Sequence, residues 1–143
     1  MEEKPWGTTS VVAREHDHHI DRIVVAPGGY CSVHKHAQKV NVFHVLTGRL
    51  YVRTFSVHGG TFSSAHMLPG DAFVVPAGLW HQFHAQNGGA EALELYLPGP
   101  DGVLEHSDIE RHAGLAVGGV GSYGELASML REAFQVQEQY VGR

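Results

Sequence analysis

The sequence predicts an all-β protein, an antiparallel sandwich or barrel of short strands followed by a C-terminal α-helix. Three observations carry that expectation. Most of the chain alternates apolar and polar residues with a period of two. Clusters of Gly, Pro and Asn cut the alternation into short pieces. Near the C-terminus the period lengthens to that of a helix, behind a capping signal. At 143 residues the chain fits one domain, 1–143, around a single hydrophobic core. The barrel is expected over about 8–97, with an irregular segment and the helix over 98–143.

Each strand is a run rich in β-branched or aromatic residues between turn signals. TTSVVAR (8–14) and HIDRIVVA (19–26) come first, closed by Pro27-Gly28-Gly29. NVFHVL (41–46) ends at Thr47-Gly48, and RLYVRTFSV (49–57) ends at His58-Gly59-Gly60. TFSSAHML (61–68) meets Pro69-Gly70-Asp71, and DAFVVP (71–76) meets Pro76-Ala77-Gly78. WHQFHA (80–85) and EALELYL (91–97) flank Asn87-Gly88-Gly89, which reads as a hairpin signal. Many short strands at this spacing argue for a sandwich or barrel. From Pro98 the pattern turns irregular, until Ser122 and Glu125 form a capping box. The helix that follows is expected to carry Leu126, Met129, Leu130, Ala133, Phe134 and Gln137 along one side, packed on the outside of the barrel or on a second subunit.

Composition excludes several partners. The formal net charge is -5 and no long Lys/Arg run occurs, which argues against nucleic acid or an anionic membrane surface. No apolar run approaches the roughly 20 residues of a membrane span, and MEEKPWGTTS lacks the basic region and apolar core of a secretory leader. The single Cys31 cannot form an internal disulfide, so a reducing cytoplasm is the expected compartment. Apolar edge strands such as VVARE are expected to be protected in a homodimer. The histidine count stands out: 12 in 143 residues directs attention to metal or acid–base chemistry.

In a strand, side chains at i and i+2 share a face. His34 and His36 in HKH therefore point the same way, and Asn41 opens the next strand. His81 follows the Pro-x-Gly turn in PAGLWHQF. An H-x-H pair with a distant third histidine can build a three-imidazole metal site with open positions for a substrate. The same residues fit a histidine-lined polar pocket, or an edge strand facing solvent.

These residues also carry a family resemblance. The sequence resembles a small single-domain cupin, an antiparallel jelly-roll barrel. The first cupin motif is matched by Gly28, His34-Lys35-His36, Asn41 in the place of the usual Glu, and Gly48. The second is matched by Gly70, Pro76-Ala77-Gly78 and His81, with Ala85 where the motif has Asn. KPWG (4–7) and RIVVAPGG (22–29) resemble the opening of mannose-6-phosphate isomerase-like and sugar-nucleotide cupins. The resemblance implies one divalent transition metal (Fe, Ni, Zn, Mn or Cu) on His34, His36 and His81, with Asn41 as a fourth, weaker ligand or a partner of metal-bound water. Three imidazoles and an amide leave the full +2 charge on the ion, more Lewis-acidic and more receptive to an anionic or oxygen-rich small molecule than a carboxylate site. Cupins with three histidines and no carboxylate include Fe(II) dioxygenases, so that activity is the first expectation. A sugar isomerase or epimerase-like enzyme and a non-catalytic small-ligand domain are the alternatives.

Other side chains complete the expected site. Glu94 and Tyr96 share one face of ALELYL, and in one register they meet the cavity as acid–base groups. Phe43, Trp80 and Phe83 are expected to line an apolar wall, and Gln38 lies within reach of an ion. Alternation sends His44 and His84 to the opposite face, towards solvent or a subunit contact. His16, His18 and His19 read either as an exposed hairpin or, with Asp17, as a second metal site. His58, His66, His106 and His112 have no partner that the sequence identifies, and Cys31 reads as a packed thiol.

Overall fold

The computed structural model describes residues 1–56, 61–134 and 137–140. Its strands are β1 (Glu2–Lys4), β2 (Gly7–Arg14), β3 (His19–Val25), β4 (Gly29–Tyr30), β5 (His34–Lys35), β6 (Lys39–Ser56), β7 (Thr61–Met67), β8 (Ala72–Val75), β9 (Trp80–Pro98), β10 (Glu110–Arg111), β11 (Gly119–Val120) and β12 (Gln137–Tyr140). A short 3-10 turn covers Ala113–Leu115 and the helix α1 covers Tyr123–Phe134. The strands form one curled sheet in the order β1-β2-β3-β9-β6-β7-β12, with β8 on β6 and with β4 and β5 on β9. Every pairing is antiparallel except that of β12 with β7. This is the all-β jelly roll with a C-terminal helix that the sequence predicts.

Thr47-Gly48 and Asn87-Gly88-Gly89 do not end strands. Each lies within a long strand, β6 or β9: Thr47 and Gly48 keep the partners Glu91 and Ala90, and Asn87-Gly88-Gly89 bulges out at the register shift before the ladder resumes at Leu50 and Ala85. Gly48 has φ +75°, and a Cβ there would fall 2.2 Å from the Gly89 carbonyl oxygen. Glycine thus lets two backbones touch while the strands bend, and no hairpin forms.

The bend divides the structure into two facing layers and changes the phase of both strands. Before it, β6 buries Asn41, Phe43 and Val45; after it, Leu50 and Val52. On β9 the inward set passes from His81, Phe83 and Ala85 to Ala90, Ala92 and Glu94. The start of β6 pairs with the end of β9 and with β8, and that end of β9 pairs also with β3. The end of β6 pairs with the start of β9, which also carries β4 and β5. Between the layers lies a core of Trp6, Ile23, Val25, Phe43, Val45, Leu50, Val52, Met67 and Phe83.

A second apolar cluster covers the outside of the β7-bearing layer: Val33, Phe55, Phe62, Leu115, Leu126 and Leu130. The capping box forms as expected, with Glu125 N–H donating to Ser122 Oγ at 3.1 Å and Ser122 Oγ–H donating to Glu125 Oε1 at 3.0 Å. The helix packs on the barrel through Leu126, Ala127 and Leu130, whereas Met129 is 41% exposed and Ala133 is exposed. The expected stripe also ran on to Gln137, but the helix ends at Phe134 and Gln137 opens β12. There the sequence QEQY pairs with the edge of β7, where a strand is satisfied by its neighbour's backbone. Val57 and the His58-Gly59-Gly60 turn signal lie outside the described residues.

Candidate metal centre

His34 and His81 are direct cross-strand partners between β5 and β9, so their side chains share a face. Their ring centroids are 4.5 Å apart, and the His36 ring lies 5.1 Å from one and 5.2 Å from the other. The Pro-x-Gly turn is fastened to the H-x-H segment by Gly78 N–H donating to the His36 carbonyl at 2.7 Å. One potential ligand atom from each of the three rings lies within 4.8 Å of the others. All three residues are buried.

The tautomers follow from the partners. Nδ1–H of His34 donates to the Ser32 carbonyl at 2.9 Å, that of His36 to the Asp108 carbonyl at 2.7 Å, and that of His81 to the Leu79 carbonyl at 2.9 Å. A carbonyl only accepts, so each Nδ1 carries the proton and each Nε2 keeps its lone pair. Burial, the largest cause, lowers the pKa of His36 and of His81 to about 4. It pushes His34 well below its usual value, with His81 and His36 adding repulsion. Neutral imidazoles with oriented Nε2 lone pairs are the ligand form. Two buried atoms at this point, His36 Nε2 and Asn41 Oδ1, have no hydrogen-bond partner. The residues present therefore fit a divalent cation.

Asn41 is fully buried. Its Nδ2–H donates to Glu94 Oε2 at 3.2 Å and sits 3.5 Å from His81 Nε2. The carboxylate missing from position 41 is thus present nearby on β9, and the amide holds it. Glu94 and Tyr96 both line the cavity, and the Tyr96 hydroxyl donates to Glu94 Oε2 at 2.7 Å. Burial raises the Glu94 pKa, against the two hydrogen bonds it accepts, and raises that of Tyr96 with help from the neighbouring carboxylate. Lys39 Nζ lies 4.4 Å over the Tyr96 ring, and burial lowers its pKa. The three histidines hang on one layer, and Asn41, Glu94 and Tyr96 on the other.

His34, Glu94 and Tyr96 line a cavity of about 610 Å³. Arg14 and Arg111 are among its lining residues, and neither makes an ion pair among the described residues. Segment 104–112 borders it: the Asp108 carboxylate accepts from Ala37 N–H and Gln38 N–H at 3.0 and 2.7 Å, and β10 pairs with β5. Sequence reasoning missed Asp108, Arg111 and Lys39. The first two lie in a segment with no periodicity, and Lys39 looked like an ordinary loop residue.

Several expectations need correction. His84 alternates to the face opposite His81, but it is fully buried there under the chain leading into α1, not exposed. Trp80 is on that same outer side, beside Phe55 and Leu126, so only Phe43 and Phe83 face inward. Gln38 is exposed, and its backbone rather than its side chain is held by Asp108. His16, His18 and His19 do not gather with Asp17: His16 is exposed, His18 pairs with Asp17, and His19 turns to Asp21 and His106. His66 stacks on Tyr51, and Nδ1 of His112 accepts from Gly114 N–H. His44 is half-buried on the outer face. Cys31 is a packed thiol, its Sγ accepting from Phe83 N–H and burial pushing its pKa up.

A family model described as a cupin domain matches residues 21–97. Germin-like protein 3-7 of Oryza sativa subsp. japonica is 36% identical over 84 residues, which cover 56% of this chain and 36% of that protein. Germin-like protein subfamily 1 member 5 of Arabidopsis thaliana is 38% identical over 82 residues, with the same two shares of 56% and 36%. The chain thus spans little more than a third of the length of these curated relatives. Among solved structures, KdgF from Halomonas sp. superposes with a TM-score of 0.60 at 22% identity, covering 71% of this chain and 88% of that one. Oxalate decarboxylase from Bacillus subtilis superposes at 0.65 and 17% identity, covering 94% and 34%. A further structure of that decarboxylase, concerned with its Mn(II) centres, matches at 0.65 and 18% over the same shares of 94% and 34%. The matched region holds both histidine motifs and more than half of the residues, and by this measure the chain belongs to the cupin family.

Proposed function

We propose that this cupin is a metal-dependent enzyme acting on a small anionic or oxygen-rich organic molecule, with His34, His36 and His81 as the ligands of one divalent transition metal. The observation that carries this is the set of three buried Nε2 lone pairs facing one another, each fixed by a proton donated from Nδ1 to a backbone carbonyl. A divalent ion held there supplies Lewis acidity, and iron(II) supplies in addition the redox chemistry of a dioxygenase. Arg14 and Arg111 draw an anionic group into the cavity. Phe83 lines the cavity with Phe43 packed behind it and beside His81, which keeps the inner wall apolar. Glu94, tied to Tyr96 and Asn41, stands at the cavity wall next to the ligand set, placed to take up or return a proton.

We take a three-histidine Fe(II) dioxygenase as the specific activity. Elemental analysis followed by anaerobic Fe(II) titration is expected to give one tightly bound equivalent that His34→Ala loses. Oxygen uptake is then expected with one member of a panel of thiols, β-diketones and carboxylic acids. A protein that holds no metal, or one whose metal content survives His34→Ala, overturns the proposal. The Glu94–Tyr96 pair favours a second reading, proton transfer on a sugar or sugar acid. Substrate deuterium exchange without oxygen uptake, lost in Glu94→Gln, selects it.

A further inference from the structure

His19 and His106 are 87 positions apart in sequence, and their Nδ1 atoms lie 3.4 Å apart at the wall of the cup. The other nitrogen of each ring faces a group that only accepts. Nε2–H of His19 donates to Asp21 Oδ1 at 2.9 Å, and Nε2–H of His106 donates to the Glu15 carbonyl at 3.1 Å. A neutral imidazole carries a single N–H, so with both Nε2 atoms protonated the two Nδ1 lone pairs point at each other. Such an arrangement is unfavourable unless a shared proton, which would make the contact a hydrogen bond, or a metal ion lies between them. Two nitrogens bound tetrahedrally at about 2.0–2.1 Å from one zinc ion stand about 3.3 Å apart. The pair already has that separation. Its outer partners, a carboxylate behind one ring and a carbonyl behind the other, are the kind that orient metal-bound histidines.

We infer that His19 and His106 form a second site for a transition-metal ion of the zinc type, with water completing the coordination. The site shares no residue with the three-histidine cluster and does not depend on its being filled. Asp21 supplies compensating negative charge through His19, whereas Lys39 Nζ, donating to the His106 carbonyl at 3.1 Å, opposes the ion. Two protein ligands and a nearby ammonium make the site weaker than the three-histidine one. Its location gives it a mechanical effect. His19 belongs to the β2–β3 hairpin, while His106 belongs to the segment whose Asp108 holds His36 and the Ala37 and Gln38 amides. An ion between the rings therefore staples that segment to the hairpin.

Titration of the metal-free protein at pH 7.5 with Zn(II) against a chromophoric chelator tests this. Two equivalents are expected, the second at least about tenfold weaker than the first. His106→Ala and His19→Ala should each lose only the weak equivalent, and His34→Ala only the tight one, so the two sites stand or fall separately. Hydrogen exchange at the Ala37 and Gln38 amides should slow when the second equivalent binds, and not in His106→Ala. The inference is overturned by one equivalent in total that His34→Ala removes, in which case a single shared proton fills the gap between the rings. It is also overturned by a weak equivalent that survives both His19→Ala and His106→Ala but is lost in His18→Ala.

Discussion

His81 and His84 lie three positions apart on β9, both buried, and burial is the main cause that lowers the pKa of each to about 4. They differ in what their nitrogens meet. His84 Nδ1 accepts from Arg53 Nη2 at 3.1 Å, and its Nε2–H donates to the Gly121 carbonyl at 3.0 Å. Its ring stands between Tyr30 and Tyr123 and ties the approach to α1 onto the barrel. His81 uses one nitrogen on a backbone carbonyl and turns the other towards His34 and His36, which are in the same condition. Depth and depressed basicity are common to the two and so do not mark a ligand. Three adjacent rings that each spend Nδ1 on a backbone carbonyl and turn Nε2 towards one another do.

The comparison breaks most readily at the ligand set. His36→Ala should lower metal affinity by more than about 100-fold, near 3 kcal/mol, while His84→Ala leaves metal content intact and lowers stability. Elemental analysis of both variants checks this, and equal metal loss would erase the distinction. Next in size, Leu130→Ala should cost about 3 kcal/mol of unfolding free energy by emptying the cluster under α1, with no change in bound metal.

The third effect depends on pH. The folded-state pKa of His84 lies near 4, below the ordinary 6.5, so its neutral form contributes stability above pH 6.5 that is lost as pH falls towards 4. The groups facing it, Arg53 on β6, Tyr30 on β4 and Tyr123 on α1, include a cation and no carboxylate. Because His36 and His81 share that window, the measurement is a difference: metal-free wild type minus His84→Gln, by urea unfolding at pH 6.5 and 5. Wild type should lose about 2 kcal/mol more over that interval, the equivalent of one proton. Parallel curves would show that His84 has the same pKa folded and unfolded and contributes nothing to the pH dependence. The smallest effect is Asn41→Asp, expected to raise metal affinity about tenfold by returning a carboxylate to β6. Competition with a chelator reads it, and an unchanged affinity would show that position 41 does not reach the ion.

The spacing of His34, His36 and His81 was legible because alternation over two residues and one turn needs no distant information. The same rule placed His84 on the outer face correctly, yet said nothing of what covers that face, and Trp80, expected on the cavity wall, lies there too. The cover comes from Leu115, Leu126 and Leu130, remote in sequence. Gly48 and Gly89 were read as turns because a glycine with positive φ suits a reversal and a bend alike, and only the continuing ladder tells them apart. His106 and Asp108 sit where the chain has no period at all, so their partners His19 and His36 could not be named. The cavity-facing register of Glu94 and Tyr96 was one of two options, and the phase change at the bend decided it.

The crossing at Gly48 and Gly89 has a consequence for how such a molecule can be altered. It hangs the imidazoles on one leaf of the cup and the carboxyl–phenol pair on the other, joined where two glycine backbones rest against each other. Substitutions of Glu94 or Tyr96 on the second leaf can therefore change the acid–base pair while the three imidazoles keep their places, and the reverse holds for the first. A chain built this way can trade one chemistry for another a half at a time.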